Sequence, residues 1–389
     1  MEATETPLPL RNRKMILWSM TLFFIILALG IFLYWLLWGR FYEYTNDAYV
    51  SGNLVYVTPQ ISGIVTSIYI DDTQRVEEGH LLIKLDTTDA EIALDECKAA
   101  LGEEIRNVAQ IFLQTQQALA LIEVAKADFL KYAQDFERRI PLVESGGVSK
   151  EDFEHSEIAF TSAYFTLAST EANYFSLFAQ TDNTSIENHP RVQKAVENLK
   201  NAWVQLKRTT LTAPTSGLIA ERSVQIGQRV KAGDPLFAII PLEEMWVNAN
   251  FKEVQIGKMQ IGQTAHLKAD VYGDAVKYHG YIEGIGGGTG SVFSVLPPQN
   301  ATGNWIKIVQ RVPVRIHLDS QELLEHPLRL GLSMDVTVDI HNIGHSSIPP
   351  ITPTQPIYQT DVFAKEEEGV ETVIQKIFKE NLPSLPGIP

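Results

Sequence analysis

Cysteine is almost missing from this chain of 389 residues: Cys97 stands alone, which excludes an intramolecular disulfide, a CxxC redox pair and a thiolate zinc finger. Positive charge is in deficit. Against 32 Lys plus Arg there are 47 Asp plus Glu, and the net charge of −15 argues against a nucleic-acid partner, because neutralising phosphates needs clustered cations. The nine histidines are scattered, and His266, His279, His326 and His341 show no metal-ligand spacing beside a carboxylate, so no metal is expected. No Ser-His-Asp arrangement and no carboxylate pair follows from spacing, and no catalytic residue is assigned. The glycine run from Gly284 to Gly290 lacks GK[ST] and meets no lysine before Lys307, which argues against a nucleotide loop. Neither a cofactor nor enzymatic activity is therefore expected. Glycine (25) and proline (19) are not in excess, and 45% hydrophobic residues suffice for several packed modules, so wholesale disorder is not expected either.

Charge is wholly absent from Met15 to Gly39. The apolar run Ile16 to Trp38 would reach about 35 Å as a helix, enough to cross a hydrocarbon core of about 30 Å. Arg11, Arg13 and Lys14 precede it, and Glu43 and Asp47 follow. The positive-inside tendency then leaves residues 1–14 as a cytoplasmic stub and puts the bulk of the chain across the membrane. A cleaved signal peptide would have a shorter apolar region followed by small residues, whereas this one ends in Tyr34, Trp35 and Trp38 with Phe41 and Tyr42 after it. A retained single-pass anchor over 15–39 is expected. With one span, the chain cannot itself be a transport channel.

What is present is a repeat. SGIVTSIYIDDTQRVEEGHLLIKLD from Ser62 matches SGLIAERSVQIGQRVKAGDPLFAII from Ser216 at a constant offset. Seven positions are identical: Ser62/Ser216, Gly63/Gly217, Gln74/Gln228, Arg75/Arg229, Val76/Val230, Gly79/Gly233 and Leu82/Leu236. Each copy shows short β-type runs broken by glycine at turns, with Gly63, Gly79, Gly217 and Gly233 as the turn positions. Two such halves are expected to close face to face into one sandwich. The pattern resembles the biotinyl/lipoyl carrier fold. Those carriers present a modified lysine at a hairpin; the corresponding Asp86-Thr87-Thr88-Asp89 has none, and Lys84 and Lys231 read as exposed lysines.

Between the halves lies a helical pattern. Thr88 with Glu91 suggests a capping box, and sevenfold spacing runs through Leu94, Leu101, Val108, Thr115, Ile122, Phe129, Phe136 and Val143. A companion seam runs Cys97, Glu104, Ile111, Ala118, Ala125 and Tyr132, so Cys97 is expected as a buried, inert thiol. A helix over 87–140, ending before Pro141, would be a rod of roughly 80 Å. Gly146-Gly147 turns the chain. A return helix begins at Ser149, is interrupted over 181–190, and regains register at Val192, Val196, Leu199, Trp203 and Leu206.

Anchor, split sandwich and outward rod together resemble the membrane fusion proteins, or periplasmic adaptors, of the HlyD family, over the chain from the anchor to about residue 340. YTNDAYV, MWVNANFKEVQI, VYGD and GTGSVFSVLPPQNATGNWIKIVQRVPVRI look like the EmrA-type multidrug efflux adaptors. The resemblance implies an α+β fold: N-terminal transmembrane helix, β-barrel domain, and lipoyl-like β-sandwich split by a long antiparallel α-helical coiled-coil hairpin. The expected domains are a barrel from 44–58 plus 241–342, a split sandwich from 59–86 plus 210–240, a hairpin over 87–209 with its tip at 138–150, and a Pro-rich tail over 343–389. At the tip, the family's Arg, Leu and Ser spacing is met by Arg138, Leu142 and Ser149, which by resemblance contact a TolC-type outer-membrane channel. Each has a structural alternative: Ser149 as helix N-cap, Leu142 as tip core, Arg138 as a solvated helix charge. The implied partners are an inner-membrane major facilitator transporter, that channel, and further copies in a trimer or hexamer ring. The glycine run would be a loop facing the transporter or a neighbouring copy. An adaptor for an ABC-type protein secretion system is the alternative within the class. An anchored periplasmic sensor is weaker, because a short cytoplasmic stub leaves no output domain. The amphipathic stretch Val370, Val373, Ile374, Ile377 and Phe378 suggests docking on another subunit.

Overall fold

The computed structural model describes residues 10–290, 292, 309–341, 346–348 and 354–382. Most of the GTGSVFSVLPPQNATGNW stretch, and Pro349, Pro350 and Pro353, lie outside the described residues. Beyond Lys14, helix α1 (Leu10–Leu37) is apolar on every side, and its side chains from Lys14 to Trp35 are all exposed, as suits a helix with lipid rather than protein around it. Strand β1 (Tyr42–Ser51) follows after a single 3-10 turn. The first sandwich half supplies β2 (Val55–Val57), β3 (Gly63–Ile68), β4 (Arg75–Val76) and β5 (Leu81–Leu85). Helices α2 (Thr88–Glu144), α3 (Lys150–Thr181) and α4 (Pro190–Lys207) intervene. The second half gives β6 (Thr210–Thr212), β7 (Gly217–Arg222), β8 (Arg229–Val230) and β9 (Phe237–Ile240). Then come β10 (Trp246–Lys252), α5 (Glu253–Ile256), β11 (Thr264–Ala269), β12 (Tyr278–Ile285), β13 (Arg311–Leu318), α6 (Ser320–Glu325), β14 (Ser333–Asp339) and α7 (Val370–Asn381). The fold is α+β.

The two repeats do close on each other. One sandwich sheet runs β2-β9-β7-β4 and the other β6-β5-β3-β8, so each sheet takes strands from both halves and the two orders interchange under a pseudo-twofold. The bonds across the halves come in matching pairs. Gly79 N–H donates to the Ala213 carbonyl (2.8 Å) as Gly233 N–H donates to that of Pro59 (2.9 Å). Ser216 Oγ accepts from Glu78 N–H (2.9 Å) as Ser62 Oγ accepts from Ala232 N–H (3.3 Å). Val76, Val230, Leu82 and Leu236 are buried in the shared core with Val65, Ile219 and Ile239. Identity between the copies has thus fallen on residues that cross-link the halves or fill their common interior. Val55–Val57, grouped with the barrel from the sequence, belongs instead to the sandwich: it pairs with β9, because the pseudo-twofold mate of β6 must lie there.

Strands β1-β10-β13-β12-β11-β14 close an antiparallel barrel, filled by Phe251, Tyr278, Ile316 and Val336 among others. Gly284 lies within β12 rather than in a loop, at a register shift that a glycine accommodates, and residues 286–290 leave the strand. Helix α2 starts without a Thr88 capping box: the Asp86 carboxylate accepts from Thr88 N–H (3.0 Å) and Thr88 Oγ (2.7 Å). Those bonds hold the Asp86 carboxyl below its ordinary pKa. The helix also passes Pro141 and ends at Glu144, since a proline in the last turn forfeits one donor and little else.

Candidate functional site

The hairpin is built from the sandwich outward. Leu85 N–H donates to the Thr209 carbonyl (2.7 Å) and Lys84 pairs with Thr210, so the two ends of the insertion leave from neighbouring strands. At its base, Leu94, Leu101, Ile105, Val108, Val192, Val196 and Leu199 form a buried core. Cys97 is half-buried beside it. That core has a third contributor. Helix α7 buries Val370, Ile374 and Ile377 against it, so the amphipathic tail docks on the hairpin of its own chain instead of on another subunit. Gly102, in mid-helix, leaves room for Asn381, whose side chain would meet an added Cβ at 3.1 Å. Before α7 the chain is strapped to the sandwich by Glu366, which accepts from Arg208 (2.9 Å) and Gln60 (3.3 Å), and by Thr360, which donates to Glu78 (2.8 Å).

Further out, aromatic rings replace aliphatics between α2 and α3. Phe136 stacks on Phe160 (5.4 Å) and Phe153 (5.4 Å), and Phe129 lies 5.6 Å from Phe160. Each such pair adds roughly 0.5–1.5 kcal/mol beyond area burial, stiffening the arm near its end.

The tip itself is two helix caps back to back. Gly147 N–H donates to the Leu142 carbonyl (2.8 Å) and Gly146 N–H to that of Val143 (3.2 Å), with Gly146 at φ 69°. This is a Schellman ending, and it needs the left-handed conformation glycine supplies. Ser149 opens α3: its Oγ accepts from Asp152 N–H (3.0 Å) and lies within donating distance of Asp152 Oδ2 (2.6 Å). Arg139 ties the two helices, bonding Asp135 Oδ2 (3.0 Å) on its own helix and the Asp152 carbonyl (3.0 Å) on the other.

Arg138, Leu142 and Ser149 are brought to this one turn and all three are exposed. Arg138 lies 73% exposed with Nη2 bound to Asp135 Oδ1 (2.6 Å), which leaves other guanidinium donors outward. That bond holds the Asp135 carboxyl below its ordinary pKa, so the pair is intact throughout the ordinary carboxyl range and is lost as pH falls through the depressed value. Leu142 presents an apolar side chain, 41% exposed, from the residue that anchors the Schellman turn. Ser149 is a cap, and with its hydroxyl proton directed at Asp152 it offers a further partner only a lone pair. Arg139 went unassigned in the sequence; an Asp at −4 and a turn ahead were its only signals. Gly79 and Gly233 are turn residues at φ 80° and 89°, whereas Gly63 and Gly217, expected in turns, instead open strands β3 and β7 where a neighbouring chain approaches closely; all four hold the sandwich and lie apart from the tip.

The hairpin, residues 88–209, matches the family model described as EMRA, alpha-helical hairpin domain. The chain is 40% identical over 373 residues to the probable multidrug resistance protein EmrK of Escherichia coli (strain K12), covering 95% of this chain and 96% of that one. It is 44% identical over 315 residues to the multidrug export protein EmrA of the same organism, covering 81% of each. Among solved structures, that of the periplasmic adaptor protein EmrA aligns over 77% of this chain and 98% of that one, at 22% identity and a TM-score of 0.38.

Proposed function

Because the chain belongs to the EmrA family of membrane fusion proteins, which are adaptors and not enzymes, we propose that it is the periplasmic adaptor of a tripartite multidrug efflux system. Anchored in the inner membrane by α1, it links an inner-membrane major facilitator transporter to a TolC-type outer-membrane channel, so that exported compounds bypass the periplasm. The transporter supplies the energy. The barrel holds the transporter, copies associate side by side through their sandwiches into a trimer or hexamer ring, and the hairpins carry the conduit outward.

The observation that supports this reading best is the exposed turn carrying Arg138, Leu142 and Ser149 at the end of an aromatic-stiffened arm. Arg138 offers charged donors to carboxylates or carbonyls, Leu142 an apolar peg, and Ser149 an acceptor. The decisive experiment replaces Arg138 and Leu142 together by Asp in cells whose drug tolerance depends on this chain. Tolerance is expected to vanish while protein level and transporter co-purification persist. Undiminished tolerance would remove the docking role of the tip.

A further inference from the structure

We propose that the barrel end surrounding the anchor is a lipid-contacting face, seated in the phospholipid headgroup layer of the membrane that α1 crosses. The inference rests on reading α1 as a membrane anchor and adds a second point of membrane contact. The first premise is the lack of any linker. Helix α1 ends at Leu37 and β1 begins at Tyr42. The intervening turn is fixed to the barrel, since Ile340 N–H donates to the Phe41 carbonyl (2.9 Å) and the Phe41 ring stacks on His341 at 3.8 Å. The barrel therefore cannot stand away from the bilayer on a tether.

The second premise is what that end exposes. Val254, at 81% exposed, is barer than any described large hydrophobic residue of α1. Ile348, Val292 and Val309 follow at 74%, 70% and 60%. Topology puts all four at the anchor end. Helix α5 is held to the first residues of β1 by Gln255, which donates to Glu43 Oε2 (2.9 Å) and the Tyr44 carbonyl (3.2 Å). Glu253 N–H donates to the Gln310 carbonyl (3.1 Å), Gly290 N–H to that of Arg311 (3.2 Å), and Ile261 N–H to that of Ser346 (2.8 Å). Glu43 and Tyr44 follow Phe41 by two and three residues, so the strand residues that hold α5 lie within about 10 Å of Phe41 at ~3.3 Å per strand residue.

Single aliphatic side chains beside exposed Lys252 and Lys258 are the chemistry of an interfacial surface: apolar tips enter the acyl boundary while ammonium groups meet phosphates. Lys258 is paired with Glu43 (3.6 Å) and Glu253 lies between the two lysines, so the charges of this face nearly balance and the net −15 of the chain is not concentrated where it would meet anionic headgroups. The four aliphatics come from three separate connections, after β10, between β12 and β13, and after β14, so they are spread around the barrel end from which the anchor leaves. A transporter docked on one flank would cover only an arc.

The test uses the full-length chain with Cys97→Ser, which frees the sequence of native thiols, and a single environment-sensitive fluorophore at Val254→Cys, Ile226→Cys or Leu27→Cys. Ile226 is a sandwich residue 70% exposed, and Leu27 lies within α1. Each protein is reconstituted into phosphatidylethanolamine and phosphatidylglycerol vesicles carrying nitroxide lipids at headgroup or deep acyl positions. The label at 254 is expected to be blue-shifted and quenched several-fold more by headgroup nitroxides than the label at 226. Equal quenching at 254 and 226, with the label at 27 quenched by deep nitroxides, overturns the proposal and leaves the anchor standing. An unquenched label at 27 overturns both. A label at 254 that ignores lipid and shifts only on co-reconstitution with the transporter assigns the face to that protein and also overturns the proposal.

Discussion

The repeat makes Gly63 and Gly217 equivalent by position, yet their surroundings break the equivalence. A Cβ on Gly217 would collide with the Ile240 carbonyl oxygen, a backbone atom that cannot yield without moving β9. The atoms nearest to a Cβ on Gly63 belong to the Leu85 side chain, from 3.2 Å, which can shift by a few tenths of an ångström. Gly217→Ala is therefore expected to destabilise by about 2–3 kcal/mol and Gly63→Ala by less than about 1 kcal/mol. Thermal melting of the detergent-solubilised variants checks this, and equal losses would contradict it. Sequence could mark both glycines as needed but not rank them, because the ranking depends on which strand runs beneath each. Arg139 illustrates the complementary limit. Its two partners, Asp135 and the Asp152 carbonyl, come from helices that meet only after the turn is made, so no pattern along one helix reveals it.

At the scale of elements, periodicity carries far. The seam of Leu94, Leu101, Val108 and Thr115 is buried, and Ile122, Phe129, Phe136 and Val143 are half-buried, as sevenfold spacing requires of a helix with a partner. What periodicity omits is the partner's identity. The apolar face of α7 was plain from Val370, Ile374 and Ile377, but an amphipathic face fits any complementary groove, and only the fold places it on the base formed by α2 and α4. The strap through Glu366 was invisible because it joins residues 158 positions apart. Ile374→Asp puts a carboxylate where the side chain is 5% exposed, among the apolar residues of the hairpin base. The variant is expected to release α7, cost about 2–4 kcal/mol, and make the segment from 354 onward a target for limited proteolysis. A tail that stays protease-resistant would show that the strap, not the helix, holds it. Wild-type tolerance together with a released tail would confine α7 to stability.

For the whole molecule, the question is how a sandwich survives having its halves parted by an insertion as large as the hairpin. The answer lies in where the insertion leaves: β5 and β6 are hydrogen-bonded neighbours, so the hairpin begins and ends within one strand spacing and costs the sandwich only the closure of a loop. The halves are instead held by their paired cross-bonds and common core, none of which involves the hairpin. Replacing residues 88–208 by a short glycine-serine turn, with the chain ended after 353 so that α7 is not left without a seat, should therefore give a protein that still folds. It is expected to keep its β-sheet circular dichroism, insert through α1 and co-purify with the transporter, while conferring no drug tolerance because nothing reaches outward. The reverse result would be as informative. A hairpin-less chain that aggregates with its β signal lost would mean that the arm templates the sandwich, and that the two halves find each other only once α2 and α4 have brought Leu85 and Thr209 together.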